Sequence, residues 1–267
     1  MPSEIAFDYP SAWFDLRDLA DVPFLRSIEF RRDCESTNNL AVEEASDGGL
    51  PKLFVTDCQT AGRGRGANQW WAREGALTFS VLTNPSRWSI NKLDWPRVSL
   101  ATAIAVRDTL RELVPQCEIG LKWPNDVHLN QRKVCGILVE PSRSMSEALV
   151  IGVGINVMNS LESAPIEIKG LATSLCDETD QDFSLTEVLA SFLKHLDQRL
   201  IQLGEAALAL PEVWAEHCVL TGNRIVLQSG DQEVTGQCQG IDSTGAILVE
   251  TNGKTQRWFG GIVRFVD

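Results

Sequence analysis

Apolar positions along this chain repeat in two ways, and the change from one to the other predicts its organisation. LFVTDCQ (53–59) and ALTFSVLT (76–83) carry β-formers at strand period, the first bounded by Pro51 and a glycine-rich stretch. PRVSLATAIAVRDTLRELV (96–114) opens on proline and repeats apolar residues at helical spacing: Leu100 and Ile104, then Val106, Leu110 and Leu113. Short strands follow at 119–123, 127–130, 134–140 and 148–157, joined in part by the turns PND and NQRK. SLTE (184–187) is a capping box, Ser184 the cap and Glu187 its partner, opening a helix to about Leu203; a shorter helical piece covers 211–218. Earlier, 35–49 reads as a short helix with Ser36 or Thr37 as N-cap and Asp47-Gly48 as its stop. Residues 1–30, interrupted by Pro2, Pro10 and Pro23, read as irregular.

From about Thr221 the pattern becomes short strands with tight turns, among them Asn252-Gly253, a strong hairpin signal. About fifty such residues predict a small β-barrel. The expected boundary falls within 215–221, giving domains of 1–218 and 219–267.

Composition narrows the function classes. With 267 residues and 43% apolar content the chain is long enough and apolar enough to fold. No run approaches the roughly 20 apolar residues a membrane span needs. The start, MPSEIAFDYPSAWF, lacks the basic and apolar regions of a signal peptide, so a cytoplasmic location is expected. Seven cysteines, none closer than eighteen residues to the next, make no CxxC pair and read as reduced, mostly buried small hydrophobes. A net charge of −12, from 24 basic and 36 acidic residues, argues against nucleic acid and anionic membrane as partners.

The candidate chemistry starts at QTAGRGRGANQWW (59–71). It is neither a Walker A loop nor a GxGxxG turn entering a helix, and a plain solvent turn is the competing reading. Gly62, Gly64 and Gly66 permit φ > 0 and close backbone approach, and Arg63 and Arg65 offer forks suited to phosphate or carboxylate. Trp70 and Trp71 offer faces suited to a flat ring such as adenine, with burial in the core as the competing reading for one of the two, since neighbours on a strand face opposite sides. Such a loop is expected to be mobile when empty and ordered by a ligand. In LKWPNDVHLNQRKVCGILVE (121–140), Lys122 and Lys133 flank Asn125-Asp126, with Gly136 a place of close approach; singly, each lysine reads as a surface residue and the Asn-Asp pair as a turn. IGVGINV (151–157) is a glycine-interrupted strand holding Gly152 and ending on the polar Asn156. His128, His195 and His217 have no metal-ligand spacing, and GxSxG is absent.

Taken together, ESTN (35–38), QTAGRGRG…W (59–70), KWPND (122–126), RKVCGILVE (132–140), GVGIN (152–156) and ATSL (172–175) come in the order found in biotin protein ligases, which this chain resembles over roughly 30–175. The resemblance implies an α+β fold: a mixed β-sheet catalytic domain flanked by helices, as in class II aminoacyl-tRNA synthetases, with a C-terminal SH3-like β-barrel. It implies ATP-dependent attachment of biotin, through biotinyl-5′-AMP, to a lysine of a biotin carboxyl carrier protein. A lipoate or octanoyl ligase or transferase of the same superfamily is the alternative. Biotin and ATP are the implied substrates, with Mg²⁺ carried by ATP and no metal site of the protein's own.

Residue by residue, the resemblance implies that Ser36, Thr37, Asn38 and Gln59 line the biotin-head pocket and that Gly62, Arg63, Gly64 and Arg65 close over biotin and the adenylate. Lys133 is implied near the carboxylate and α-phosphate, with Gly136 and Gly152 as close backbone approaches. Trp70, Asn125, Asp126 and Asn156 are implied at the nucleotide along with Arg65 and Lys133. Lys133, Arg63, Arg65 and Asp126 carry the implied catalytic roles. Gly66 and Asn68 stand where many bacterial relatives have arginines. About thirty residues precede the first motif, too few for the DNA-binding domain of relatives that are also repressors, so a short form without repressor function is expected. Monomer and homodimer both remain open.

Overall fold

The computed structural model describes residues 4–7, 11, 13–19, 22, 24–45, 49–206 and 208–266. Two sheets organise it. The larger is built from β1 (Glu4–Phe7), β2 (Ser27–Cys34), β3 (Lys52–Gln59), β4 (Ala76–Thr83), β5 (Ile119–Lys122), β6 (Asp126–Leu129), β7 (Arg132–Pro141) and β8 (Leu149–Asn156). Its strand order is β1-β2-β3-β4-β8-β7-β6-β5. The β1–β2 and β2–β3 pairs are parallel and the rest antiparallel, so the sheet is mixed.

The first two strands correct the reading of 1–30 as irregular. β2 escapes period counting because Ile28 and Phe30 are its only buried apolar residues before the charged Arg31, Arg32 and Asp33. Pro2, Pro10 and Pro23 and the proposed Asp47-Gly48 stop lie outside the described residues.

Alternation along the central strands separates two faces with different jobs. Leu53, Val55, Phe79, Val81, Ile151 and Val153 point to one side, where α2 (Trp95–Leu113) and α4 (Leu185–Gly204) cover them in the main core. The other side carries Phe54, Leu82 and Val150, packed against Ala41 and Val42 of α1 (Thr37–Glu43). That same side bears small and polar residues in register: Ser80 opposite Gly152, Thr78 opposite Gly154, and Gly136 opposite Gly154 on the next strand. Large side chains build the core on the helix face, and small ones leave a hollow on the face of α1.

Two further helices, α3 (Leu175–Thr179) and α5 (Leu210–His217), follow the sheet. Ser174 caps α3 by accepting from Asp177 N–H at 3.2 Å, and Ser184 caps α4 by accepting from Glu187 N–H at 3.3 Å. The smaller sheet, with order β12-β11-β10-β9-β13, is the SH3-like unit. It holds β9 (Arg224–Ser229), β10 (Gln232–Ile241), β11 (Ile247–Thr251), β12 (Lys254–Trp258) and β13 (Ile262–Phe265), paired antiparallel throughout. Asn252 and Gly253 both have positive φ, 51° and 73°, the geometry of the tight hairpin turn their sequence predicts. All seven cysteines are free thiols, but only Cys135 and Cys238 are buried, fewer than the composition suggests. Among the described residues no helix is long and apolar enough to cross a membrane.

Candidate active site

The hollow under α1 is a small pocket of about 40 Å³. Ser36, Thr37 and Asn38 at the start of α1, Gln59 at the end of β3, and Arg63, Gly64 and Trp70 of the glycine loop line it, with Asn125, Gly136, Leu138, Gly152 and Gly154. Ser36 occupies the N-cap position, yet its side chain makes no capping bond. Its hydroxyl is therefore left for the pocket rather than used as the cap expected from sequence.

A continuous hydrogen-bond network fixes the closed end. Gln59 Oε1 accepts from Thr37 N–H at 2.8 Å. Ser80 Oγ lies 2.8 Å from Thr37 Oγ1 and donates to Asn38 Oδ1 at 2.7 Å. Asn38 Nδ2 donates to Leu138 O at 3.2 Å and to Glu140 Oε2 at 2.9 Å. Glu140 Oε1 accepts from Arg63 at 2.6 Å, and Arg63 also donates to Asn39 Oδ1 at 2.9 Å. A Cβ on Gly152 would stand 1.9 Å from Asn38 Oδ1, and one on Gly154 2.4 Å from the Trp70 indole. These two glycines are sockets, one for each side chain.

The loop is less free than its composition suggests. Trp70 N–H donates to Gly62 O at 2.9 Å and Gly64 N–H to Asn68 O at 2.8 Å, folding 62–70 into a small hairpin. Gly66 alone of its three glycines has positive φ, 63°. Gly62 is required for space, since a Cβ there would lie 2.4 Å from Trp70 O. Trp70 and Trp71 diverge as alternation predicts: Trp71 packs against Leu161, Ala164 and Ala172, whereas Trp70 faces the pocket. Trp70 Nε1 is buried with no acceptor among the described residues.

At the pocket edge, Lys133 Nζ sits 2.6 Å from Asp126 Oδ1 and 5.9 Å from the centre of the Trp70 ring. Asn125 is pinned to β7 by donating to Ile137 O at 2.6 Å. Beyond lies a cleft of about 660 Å³ between the two sheets, with Arg65, Lys122, Asn125 and Asp126 on one wall and Gln228, Gly230, Gly260 and Gly261 on the other. Burial lowers the pKa of Arg65 and of Lys122, with the Asp126 carboxylate opposing both shifts. Lys122 is thus a half-buried cation on the cleft, not the solvated edge charge it resembles in sequence.

Of the expected site residues, three are not among those lining either cavity: Gly62, Lys133 and Asn156. Asn156 is held in a network of its own. Its Nδ2 donates to Thr173 O at 2.9 Å and its Oδ1 accepts from Asn159 at 3.0 Å, so its amide is spent in a buried network. Arg65 lines the cleft rather than the small pocket. Glu140, Ser80 and Asn39 are the functional groups sequence reading missed. The acid ending the apolar VCGILVE strand was the available signal for Glu140.

Comparison with known proteins gives the chain a family. The biotin/lipoate A/B protein ligase family model matches residues 31–156, and the biotin protein ligase C terminal domain model matches 221–265. A biotin--[acetyl-CoA-carboxylase] ligase of Mycobacterium tuberculosis is 32% identical over 236 residues, 86% of this chain and 85% of the relative. The chain belongs to the biotin protein ligase family. The bifunctional ligase/repressor of Bacillus subtilis is 28% identical over 82% of this chain and 68% of its own length. A biotin protein ligase from Aquifex aeolicus in complex with biotin and ATP superposes with a TM-score of 0.75 at 31% identity, covering 90% of this chain and 99% of that one. In this family member every residue lining the small pocket falls within the first matched segment, and the barrel wall of the cleft falls within the second.

Proposed function

We propose that this chain joins biotin to a lysine of a biotin carboxyl carrier protein by way of biotinyl-5′-AMP. The observation that carries the reading is one pocket with a closed polar end and a charged mouth. Ser36, Thr37, Asn38 and Gln59 suit a urea-like ring with donors and acceptors on its rim. A ligand that left those groups unpaired would forfeit about 1–3 kcal/mol for each, which is selectivity for a polar ring over an apolar one.

In the first step a carboxylate oxygen of biotin attacks the α-phosphorus of MgATP, the ion arriving with the nucleotide, and the bond to pyrophosphate breaks. Two anions must meet, and Lys133 and Arg65 supply the opposing charge. Trp70 offers an aromatic face to the adenine, and the Asn125-Asp126 turn lies beside it. Gly64 and Gly136, on the pocket lining, bring backbone close to the ligand, while Gly62 and Gly152 make room for Trp70 and Asn38. In the second step the carrier's lysine amine attacks the acyl carbon, the bond to AMP breaks, and the amine's proton passes to a base. Asp126, 2.6 Å from Lys133, is the carboxylate that meets the incoming amine. Asn156 is left out of this assignment because it lines neither the pocket nor the cleft. The boundary between ligase unit and barrel is assigned to 218/219.

Intact-mass analysis of a carrier domain incubated with this protein, biotin and MgATP tests the reading, and a gain of one biotin is expected. Pyrophosphate release with lipoate and none with biotin would replace it with the lipoate alternative.

A further inference from the structure

We infer that Glu140 is a positioning residue that couples the glycine loop to the closed end of the pocket; this rests on the function proposed above. The Glu140 carboxylate uses its two oxygens on two different elements. Oε1 accepts from Arg63 of the loop at 2.6 Å, and Oε2 accepts from Asn38 of α1 at 2.9 Å. Arg63 reaches α1 a second time, through Asn39 Oδ1 at 2.9 Å. Asn38 is held from its other end by Ser80 at 2.7 Å and seated on Gly152, where no Cβ fits.

Both partners of Glu140 are donors. Glutamate gives each donor an oxygen of its own, whereas glutamine of the same shape has one oxygen and no charge. A glutamine turns one of its faces into a donor aimed at Arg63 or at Asn38, so one arm of the link fails. The side chains of Arg63 and Glu140 are 35% and 25% exposed, enough burial for the pair to hold its geometry against solvent.

The arrangement divides the work of the two loop arginines. Arg63 has its charge matched by Glu140 and serves as a tether. Arg65 has no ion-pair partner among the described residues and lies on the cleft, free to meet phosphate. Biotin bonding to Thr37 and Asn38 would press on the same carboxylate that holds Arg63, so occupancy of the pocket is passed to the loop through two hydrogen bonds.

The test follows the loop rather than turnover. Trypsin cuts after Arg63 and Arg65, and cleavage is timed with and without biotin, with biotin affinity measured by calorimetry on the same samples. In the wild type, biotin slows loop cleavage. In Glu140→Gln biotin still binds, about tenfold more weakly, and at saturating biotin the protection is lost. Protection equal to wild type in Glu140→Gln overturns the inference. Absence of biotin binding in the wild type overturns instead the function on which it rests. A double-mutant cycle with Arg63→Ala gives a second reading, in which non-additive losses of adenylate retention support the link and additive losses sink it. Should Glu140→Gln not fold, Arg63→Lys takes its place, since a single ammonium lacks the fork that joins Glu140 to Asn39. It must lose protection while binding biotin, and retained protection sinks the coupling.

Discussion

At the scale of single residues, the site depends on what is missing as much as on what is present. Gly152 has no room for a methyl group, because Asn38 Oδ1 fills the space at 1.9 Å. Gly152→Ala must expel Asn38 and break its bonds to Ser80 and Glu140. We expect KM for biotin to rise at least about tenfold with a stability loss of about 1–3 kcal/mol, measured by pyrophosphate release and urea unfolding. An unchanged KM would remove Asn38 from the ring pocket. Lys133→Ala leaves the fold in place, since its ammonium is partly exposed, but removes the charge at the pocket edge. The rate of adenylate formation falls about 10²–10³-fold, and wild-type turnover would dismiss the assignment. Much of this was legible in the sequence. Glycines, arginines and lysines clustered at short spacing announce an anion site by their chemistry alone. Glu140 and Ser80 were not legible, because an acid at a strand end and a serine among apolar residues have ordinary explanations until the cross-strand register is known. The partners of Asn156 were not legible either: a polar residue closing a glycine-rich strand looks free, and Thr173 and Asn159 come to it only with the fold.

At the scale of elements, the hairpin of β6 and β7 carries Lys133 and is braced from behind by Glu178 of α3. Glu178 accepts from Asn130 at 2.7 Å, Arg132 at 2.5 Å and Thr173 at 2.6 Å. Desolvation pushes its pKa up, but the bonds from Thr173, Asn130 and Arg132 together hold it below the ordinary 4.5. A carboxyl depressed in the folded state stabilises above its ordinary pKa, and that contribution fades as pH falls through the lowered value. Unfolding midpoints in urea at pH 7 and below pH 4 will therefore converge between wild type and Glu178→Gln as acid is added. A gap that widens in acid would reverse the sign and refute the brace. Helix α3 itself went unread because five residues are too few for a periodicity, while α2 and α4 declared themselves through long apolar stripes. The loop from 62 to 70 shows the limit of composition: its glycines do not reveal the hairpin that backbone bonds between Gly62 and Trp70 and between Gly64 and Asn68 draw.

At the scale of the whole molecule, the barrel is a wall of the working cleft. Trp123 Nε1 donates to Gly245 O at 3.0 Å across the junction, and Arg65 reaches Gly261 O at 3.4 Å. Trp123→Phe keeps the packing but strands that carbonyl, at about 1 kcal/mol. We expect weaker MgATP binding with biotin affinity preserved, read by calorimetry; equal losses for both ligands would mean the barrel does not shape the nucleotide side. The barrel's existence was plain from its turn-rich sequence, but its role was not, because no motif marks a wall.

β4 and β8, buried along their full lengths, have neighbours on both edges and cover on both faces, and they form the floor of the pocket. Heat or denaturant erodes rims first. The floor will therefore outlast α1 and the loop that stand on it, and capture of the vitamin, which needs all three, will fail before the sheet does.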